Sequence, residues 1–238
     1  MSIAVPIVAG TAIRGLAATL MMRRVLQRHP DAFLVKLASF GVTIPLHRSQ
    51  AHLAADIKAG LASAGRDEDE PLVLVGHSQG GLAVLRYAID HPDQVLHVVS
   101  IGAPYAGAAS ATRVTNVLGQ RGKVVAPAVA DMAEGSAFLT ALQRDLPAIA
   151  DRVTNIYSSH ELFIRPYADA HIDVPGVTNI LIANEAEHVR HLQVYPDLPV
   201  DDLIMGSVNH MNEMNSPMVR SRIWAKVDEV AASHGLLL

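Results

Sequence analysis

Residues 72–81 read Leu-Val-Leu-Val-Gly-His-Ser-Gln-Gly-Gly. An apolar run ends in Gly-x-Ser-x-Gly, and apolar residues then recur at helical spacing: Leu82, Ala83, Leu85, Tyr87 and Ile89. The helix is expected to stop near His91-Pro92, because the residue before a proline disfavours helical backbone. Strand, tight turn and helix in so short a stretch put the Ser78 hydroxyl at the tip of a sharp bend. Any side chain at Gly76 or Gly80 would crowd that bend. The turn also aims a helix N-terminus at the serine, where negative charge would develop during acyl transfer. The alternative is an ordinary loop, and the strand before and the helix after argue against it. Ser78 is therefore the candidate nucleophile.

The rest of the chain repeats the alternation. Strands are expected at residues 3–8, 32–38, 95–101, 153–158 and 178–183, and helices at 16–28, 50–62 and 216–231. Continuous apolar strands alternating with helices predict an α/β fold, with a mostly parallel sheet covered by helices on both faces. Ligands in such sheets bind beyond the carboxyl ends of the strands. No repeat or low-complexity linker divides the chain, so residues 1–238 read as one domain. Residues 105–151 interrupt the alternation with helix-like stretches and are too long for a simple connection. They read either as ordinary helical packing or as a lid over an apolar cleft.

Composition narrows the partners. Half of the residues are hydrophobic, the net charge is −4 and the mean hydropathy is +0.25. No basic surface calls for nucleic acid. No run reaches the roughly 18 apolar residues of a membrane span. The apolar excess fits a thick buried sheet and a cleft for an apolar small molecule. The chain has no cysteine, which excludes thiol chemistry and thiolate metal sites. Residues 67–70, Asp-Glu-Asp-Glu, read as a solvated acidic loop. The N-terminal stretch lacks a basic leader, is broken by Arg14 and reads as mature structure, which points to a cytoplasmic location. No cofactor or metal is called for.

A serine hydroxyl near pH 7 needs a histidine base, and that base needs a carboxylate to hold its tautomer. After a Gly-x-Ser-x-Gly turn the acid and then the histidine follow in the chain. Glu161 is the first carboxylate after the strand at 153–158; Asp169 and Asp173 lie further on, and Asp145 and Asp151 precede it. A surface carboxylate near Arg165 is the competing reading of Glu161. The chain holds twelve histidines. His188, soon after the strand at 178–183, is the first choice for the base. His210 follows the apolar run 203–208 and is the alternative, and His191 reads as packing. Oxyanion donors are expected from the backbone N–H groups of Gln79 and of Thr11, where Gly10 lets the chain turn inward.

Gly76-His77-Ser78-Gln79-Gly80-Gly81 resembles the Gly-His-Ser-x-Gly-Gly turn of the α/β-hydrolase superfamily, in particular of small bacterial triacylglycerol lipases and esterases. Four further stretches are similar to that family in order: residues 100–107, Ser-Ile-Gly-Ala-Pro-Tyr-Ala-Gly; residues 135–139; Asn155-Ile156-Tyr157-Ser158 followed by Glu161 and Pro166; and residues 176–180 leading to His188. Ala9-Gly10 departs from the family's usual His-Gly, Glu161 from its usual Asp, and Tyr105 from its usual His. The resemblance implies an α/β-hydrolase fold with a helical lid-like insertion. It also implies ester hydrolysis through Ser78, His188 and Glu161 with an acyl-enzyme, on an acyl ester or lipid. An acyltransferase or thioesterase on the same residues is the alternative, as is a binding protein that has lost catalysis.

Overall fold

The computed structural model describes residues 3–10, 25, 32–34, 43–118 and 126–236. Seven strands form one sheet: β1 (Val5–Val8), β2 (Ala32–Leu34), β3 (Leu72–His77), β4 (Val95–Ile101), β5 (Val153–Ser158), β6 (Thr178–Ala183) and β7 (Asp202–Met205). Their spatial order is β2-β1-β3-β4-β5-β6-β7, and every pair is parallel. The helices are α1 (Leu46–Ser63), α2 (Gln79–Asp90), α3 (Ala109–Leu118), α4 (Pro127–Asp131), α5 (Ala137–Asp145), α6 (Glu185–Val194) and α7 (Pro217–Ser233). The expected helix at 16–28 lies outside the described residues, apart from helical Val25. The strand expected at 32–38 is described only as far as Leu34.

Residues 72–75 of β3 are all apolar because both faces of the strand are covered. Leu72 and Leu74 join one core cluster with Leu53, Ile57 and Leu61 of α1, Leu82 and Leu85 of α2, and Leu139 and Leu142 of α5. Val73 and Val75 point to the other face, where Ile223, Trp224 and Val227 of α7 close the core. Strand side chains alternate between faces, so one uninterrupted apolar run feeds two cores. Each fully buried Leu or Val side chain contributes about 1.5–3 kcal/mol through removal from water.

The layout determines where a site can lie. Parallel strands put all their carboxyl ends on one edge of the sheet. The register aligns Val8 with Gly76, Gly76 with Ser100, Ser100 with Asn155 and Asn155 with Asn179. The chain runs from β1 outward to β2, then returns past β1 to β3. The crevice between the carboxyl ends of β1 and β3 is therefore a topological switch point, where ligands bind in open α/β sheets. Among the described residues, no helix is long and apolar enough to cross a membrane.

Candidate active site

Ser78 stands immediately beyond β3 with φ 58° and ψ −126°, the only non-glycine residue with positive φ among those described. Such backbone is strained for a residue with a Cβ. The surroundings hold it there: the Ser78 N–H donates to the Ile101 carbonyl at 2.8 Å, and the Gly81 N–H donates to the Ser78 carbonyl at 2.9 Å. A Cβ on Gly76 would stand 2.5 Å from the Gly80 carbonyl oxygen, and one on Gly80 would stand 2.4 Å from that of Val8. Both glycines are thus required by backbone closing on backbone. Gly10 reaches the same turn from β1, since a Cβ there would lie 2.7 Å from the Ser78 Cβ.

Gln79 is the first residue of α2, so its backbone N–H is among the helix donors that have no acceptor within the helix. It stands beside Ser78, as an oxyanion donor must. Thr11, the other expected donor, lies outside the described residues.

Glu161 and His210 come from the loops after β5 and β7, on the same edge of the sheet. Glu161, three residues beyond β5, is buried, and its Oε1 lies 2.8 Å from Nδ1 of His210. With Nδ1 turned to a carboxylate, Nε2 is the nitrogen left for proton transfer. His210 follows β7 and is also buried. The Phe163 ring packs edge-on against it, with centroids 5.3 Å apart. Ser78 and His210 line one cavity of about 510 Å³, together with Gly10, Pro104, Ala111 and Met132.

The structure does not bring His188, the first choice from sequence, to this site. His188 lies in the opening turns of α6, half-buried and outside the cavity lining. β6 passes almost directly into α6, whose cap Asn184 accepts from the Glu187 N–H at 2.9 Å. His188 is thus held within that helix and takes no part in the cavity lining. His191 packs, as expected: its Nδ1 lies 3.1 Å from the Tyr167 hydroxyl and its Nε2 3.1 Å from the Leu198 carbonyl.

Buried amides hold the acid loop to the sheet. Asn155 donates to the Ala170 carbonyl and to Asn179 Oδ1, both at 2.9 Å, and Asn179 donates to the Ile172 carbonyl at 3.0 Å. The Ser158 hydroxyl donates to the Val208 carbonyl and accepts from the His160 N–H, which ties the acid loop to the histidine loop.

Two further titratable groups, His77 and Glu213, sit behind the pair. Burial lowers the His77 pKa to about 4, so its ring is neutral at pH 7. Its Nε2 donates to the His210 carbonyl at 3.0 Å. His77, His210 and Glu213 gather donor atoms within 4.8 Å of one another. The two histidine nitrogens involved are already engaged, one with the His210 carbonyl and one with Glu161, so hydrogen bonding accounts for the cluster.

Residues 105–151 divide in two. Ala108, Ala111, Val129 and Met132, from α3, α4 and their flanks, line the cavity. Leu139, Leu142 and Leu146, from α5 and the 3₁₀ turn after it, belong to the main core.

Comparison with known proteins gives a matching picture. The alpha/beta hydrolase fold family matches residues 49–181. Similar solved structures include lipase B of Aspergillus fumigatus, with TM-score 0.61 and 15% identity over 92% of this chain and 51% of that one. The mature lipase BlEst2 of Bacillus licheniformis has TM-score 0.54 and 14% identity over 94% and 91%. Carboxylesterase CesB of Bacillus subtilis has TM-score 0.52 and 12% identity over 94% and 83%. At these identities the likeness is one of fold. The chain spans 39% to 50% of the length of some other structures that it matches. No curated protein matches the sequence.

Proposed function

The chain belongs to the α/β-hydrolase family, and on that footing we propose that it is a serine hydrolase of carboxylic esters with Ser78 as nucleophile, His210 as base and Glu161 as acid. One observation carries this reading. A strained serine and a histidine already paired to a buried carboxylate line a single apolar-walled cavity.

Nε2 of His210 takes the Ser78 proton as Oγ attacks the acyl carbonyl. Glu161 stabilises the imidazolium that forms. The carbonyl oxygen becomes an oxyanion held by the Gln79 N–H, with Thr11 as the expected second donor. The imidazolium then gives its proton to the leaving alkoxide, and the alcohol departs. A water, deprotonated by His210, attacks the acyl-enzyme and releases the acid, with the proton returning to Ser78. This cycle uses the chain's own groups. The described residues between 105 and 132 act as a cap that walls the acyl pocket, and an apolar acyl ester or lipid is the substrate class the cavity suits.

Ser78→Ala tests the reading directly. It should reduce turnover of a p-nitrophenyl ester panel by several orders of magnitude and abolish labelling by a fluorophosphonate. Undiminished hydrolysis in that variant would refute it.

A further inference from the structure

Glu213 is three residues beyond His210, in the 3₁₀ turn Glu213–Asn215, and its side chain is fully buried. Its carboxyl group reaches back under the imidazole. Oε2 stands 3.3 Å from Nε2 of His77 and 3.7 Å from Nδ1 of His210. Neither nitrogen serves it well. The His77 N–H is directed to the His210 carbonyl, and the His210 N–H to Glu161. Gly102 leaves the room this carboxyl needs, because a Cβ there would fall 2.3 Å from Glu213 Oε2 and 3.1 Å from His210 Nδ1.

The hydrogen-bond count shows what is missing. With both carboxyls ionised, Oε2 of Glu161 and both oxygens of Glu213 find no donor among the described residues. A buried ionised carboxylate without donors is costly, and two adjoining carboxylates do not both ionise readily. One proton relieves most of the shortage: its O–H supplies Glu161 Oε2, and the Glu213 oxygen still without a donor is then an uncharged carbonyl, far less costly to bury than a carboxylate. Glu161 already receives the imidazole N–H on Oε1, whereas Glu213 receives no donor on either oxygen among the described residues, so the proton belongs on Glu213. The two carboxyls converge on one nitrogen, Nδ1 of His210, Glu161 at 2.8 Å and Glu213 at 3.7 Å. Burial, and then the charge of Glu161, push the Glu213 carboxyl well above the usual carboxylate range.

We propose that Glu213 is a positioning residue: a buried neutral acid whose O–H donates to Glu161 Oε2 and so keeps Oε1 turned toward His210. The role rests on the proposed assignment of Glu161 and His210 as acid and base. The titratable groups that face Glu213 are Glu161 from the loop after β5, His77 from the end of β3 and His210 from its own loop. A neutral donor at this point fixes the carboxylate without adding a second charge beside the imidazole.

Two variants and two readouts test this. Glu213→Gln keeps a neutral donor in nearly the same volume, and Glu213→Leu removes it. Leu should lower kcat by about 10²-fold, the scale of a mispositioned catalytic pair, with KM little changed. Gln should restore most of that loss and leave the acid limb of the kcat/KM pH profile where the wild type has it. Difference infrared spectra of wild type against Glu213→Gln at neutral pH should show the carbonyl stretch of one neutral carboxyl group. If Glu213 were ionised, that band would be missing, and Gln would move the acid limb to lower pH by removing a negative charge beside His210. Either result overturns the proposal, and so does an equal loss in Gln and Leu. The infrared measurement, repeated in a Ser78→Ala background, needs no turnover. Failure of the ester-hydrolase reading and failure of the Glu213 proposal are therefore told apart.

Discussion

Nδ1 of His210 lies 2.8 Å from Oε1 of Glu161, joining two loops whose residues are 49 positions apart in sequence. This contact separates the two histidine candidates experimentally. His210→Ala should reduce kcat/KM by about 10⁴-fold, whereas His188→Ala should stay within about twofold of wild type. Acylation rates measured with a fluorophosphonate would show the same order. A collapse in His188→Ala alone would reverse the assignment.

The turn that carries Ser78 tolerates no added carbon at Gly80, where a Cβ would meet the Val8 carbonyl oxygen at 2.4 Å. Gly80→Ala should force β1 and α2 apart and cost about 1–3 kcal/mol. Each kcal/mol lowers Tm by about 2–4 °C in a domain of this size. Thermal unfolding followed by circular dichroism would register it, and an unchanged Tm would mean that the turn is looser than its contacts indicate.

Stability should fall on acidification through buried neutral histidines. Burial in β4 lowers the His97 pKa from 6.5 to about 4, and its Nε2 lies 2.9 Å from the Thr154 hydroxyl. Below pH 6.5 the unfolded chain takes up a proton that the folded chain refuses. The stability present above that pH is lost as pH falls toward about 4, by up to about 3 kcal/mol. His77 titrates over the same window. The urea midpoint should therefore drop between pH 6.5 and 4, and His97→Gln should remove part of the slope. A slope identical to wild type would exclude His97 as a contributor.

Ala111 lines the cavity from α3. Ala111→Phe should occupy part of the 510 Å³ and shorten the accepted acyl chain. Kinetics across an acyl-length series should show kcat/KM falling about tenfold or more for long esters, with short ones little affected. A uniform loss across the series would place the acyl group elsewhere.

The turn at Ser78 could be read from sequence because its constraint is local: two glycines flank the serine, a continuous apolar strand precedes it and helical spacing follows. Glu161, the proposed acid, stood out for a similar reason, since it is the first carboxylate after a well-formed strand. The proposed base, His210, was harder to find. Choosing the histidine after the better-formed strand overlooked a signal at residues 184–187, Asn-Glu-Ala-Glu. Asn184 is a helix cap with a Glu three residues later. That pattern places His188 inside a helix, where it cannot curl back over the sheet edge. His210 is reached through β7, a strand of four residues against six in β6, so its apolar run marks it less strongly. Glu213 left no trace in sequence at all. Its role depends on burial and on the emptiness at Gly102, neither of which has a local pattern.

The seven strands all point the same way, so among the described residues the segments leading into them lie on the edge opposite the cavity. The acidic stretch at residues 67–70 lies there, between α1 and the start of β3. A tether or solid support attached through that stretch would leave the cavity mouth facing the bulk solution. The polarity of the sheet thus gives the molecule a handle on one side and a working face on the other.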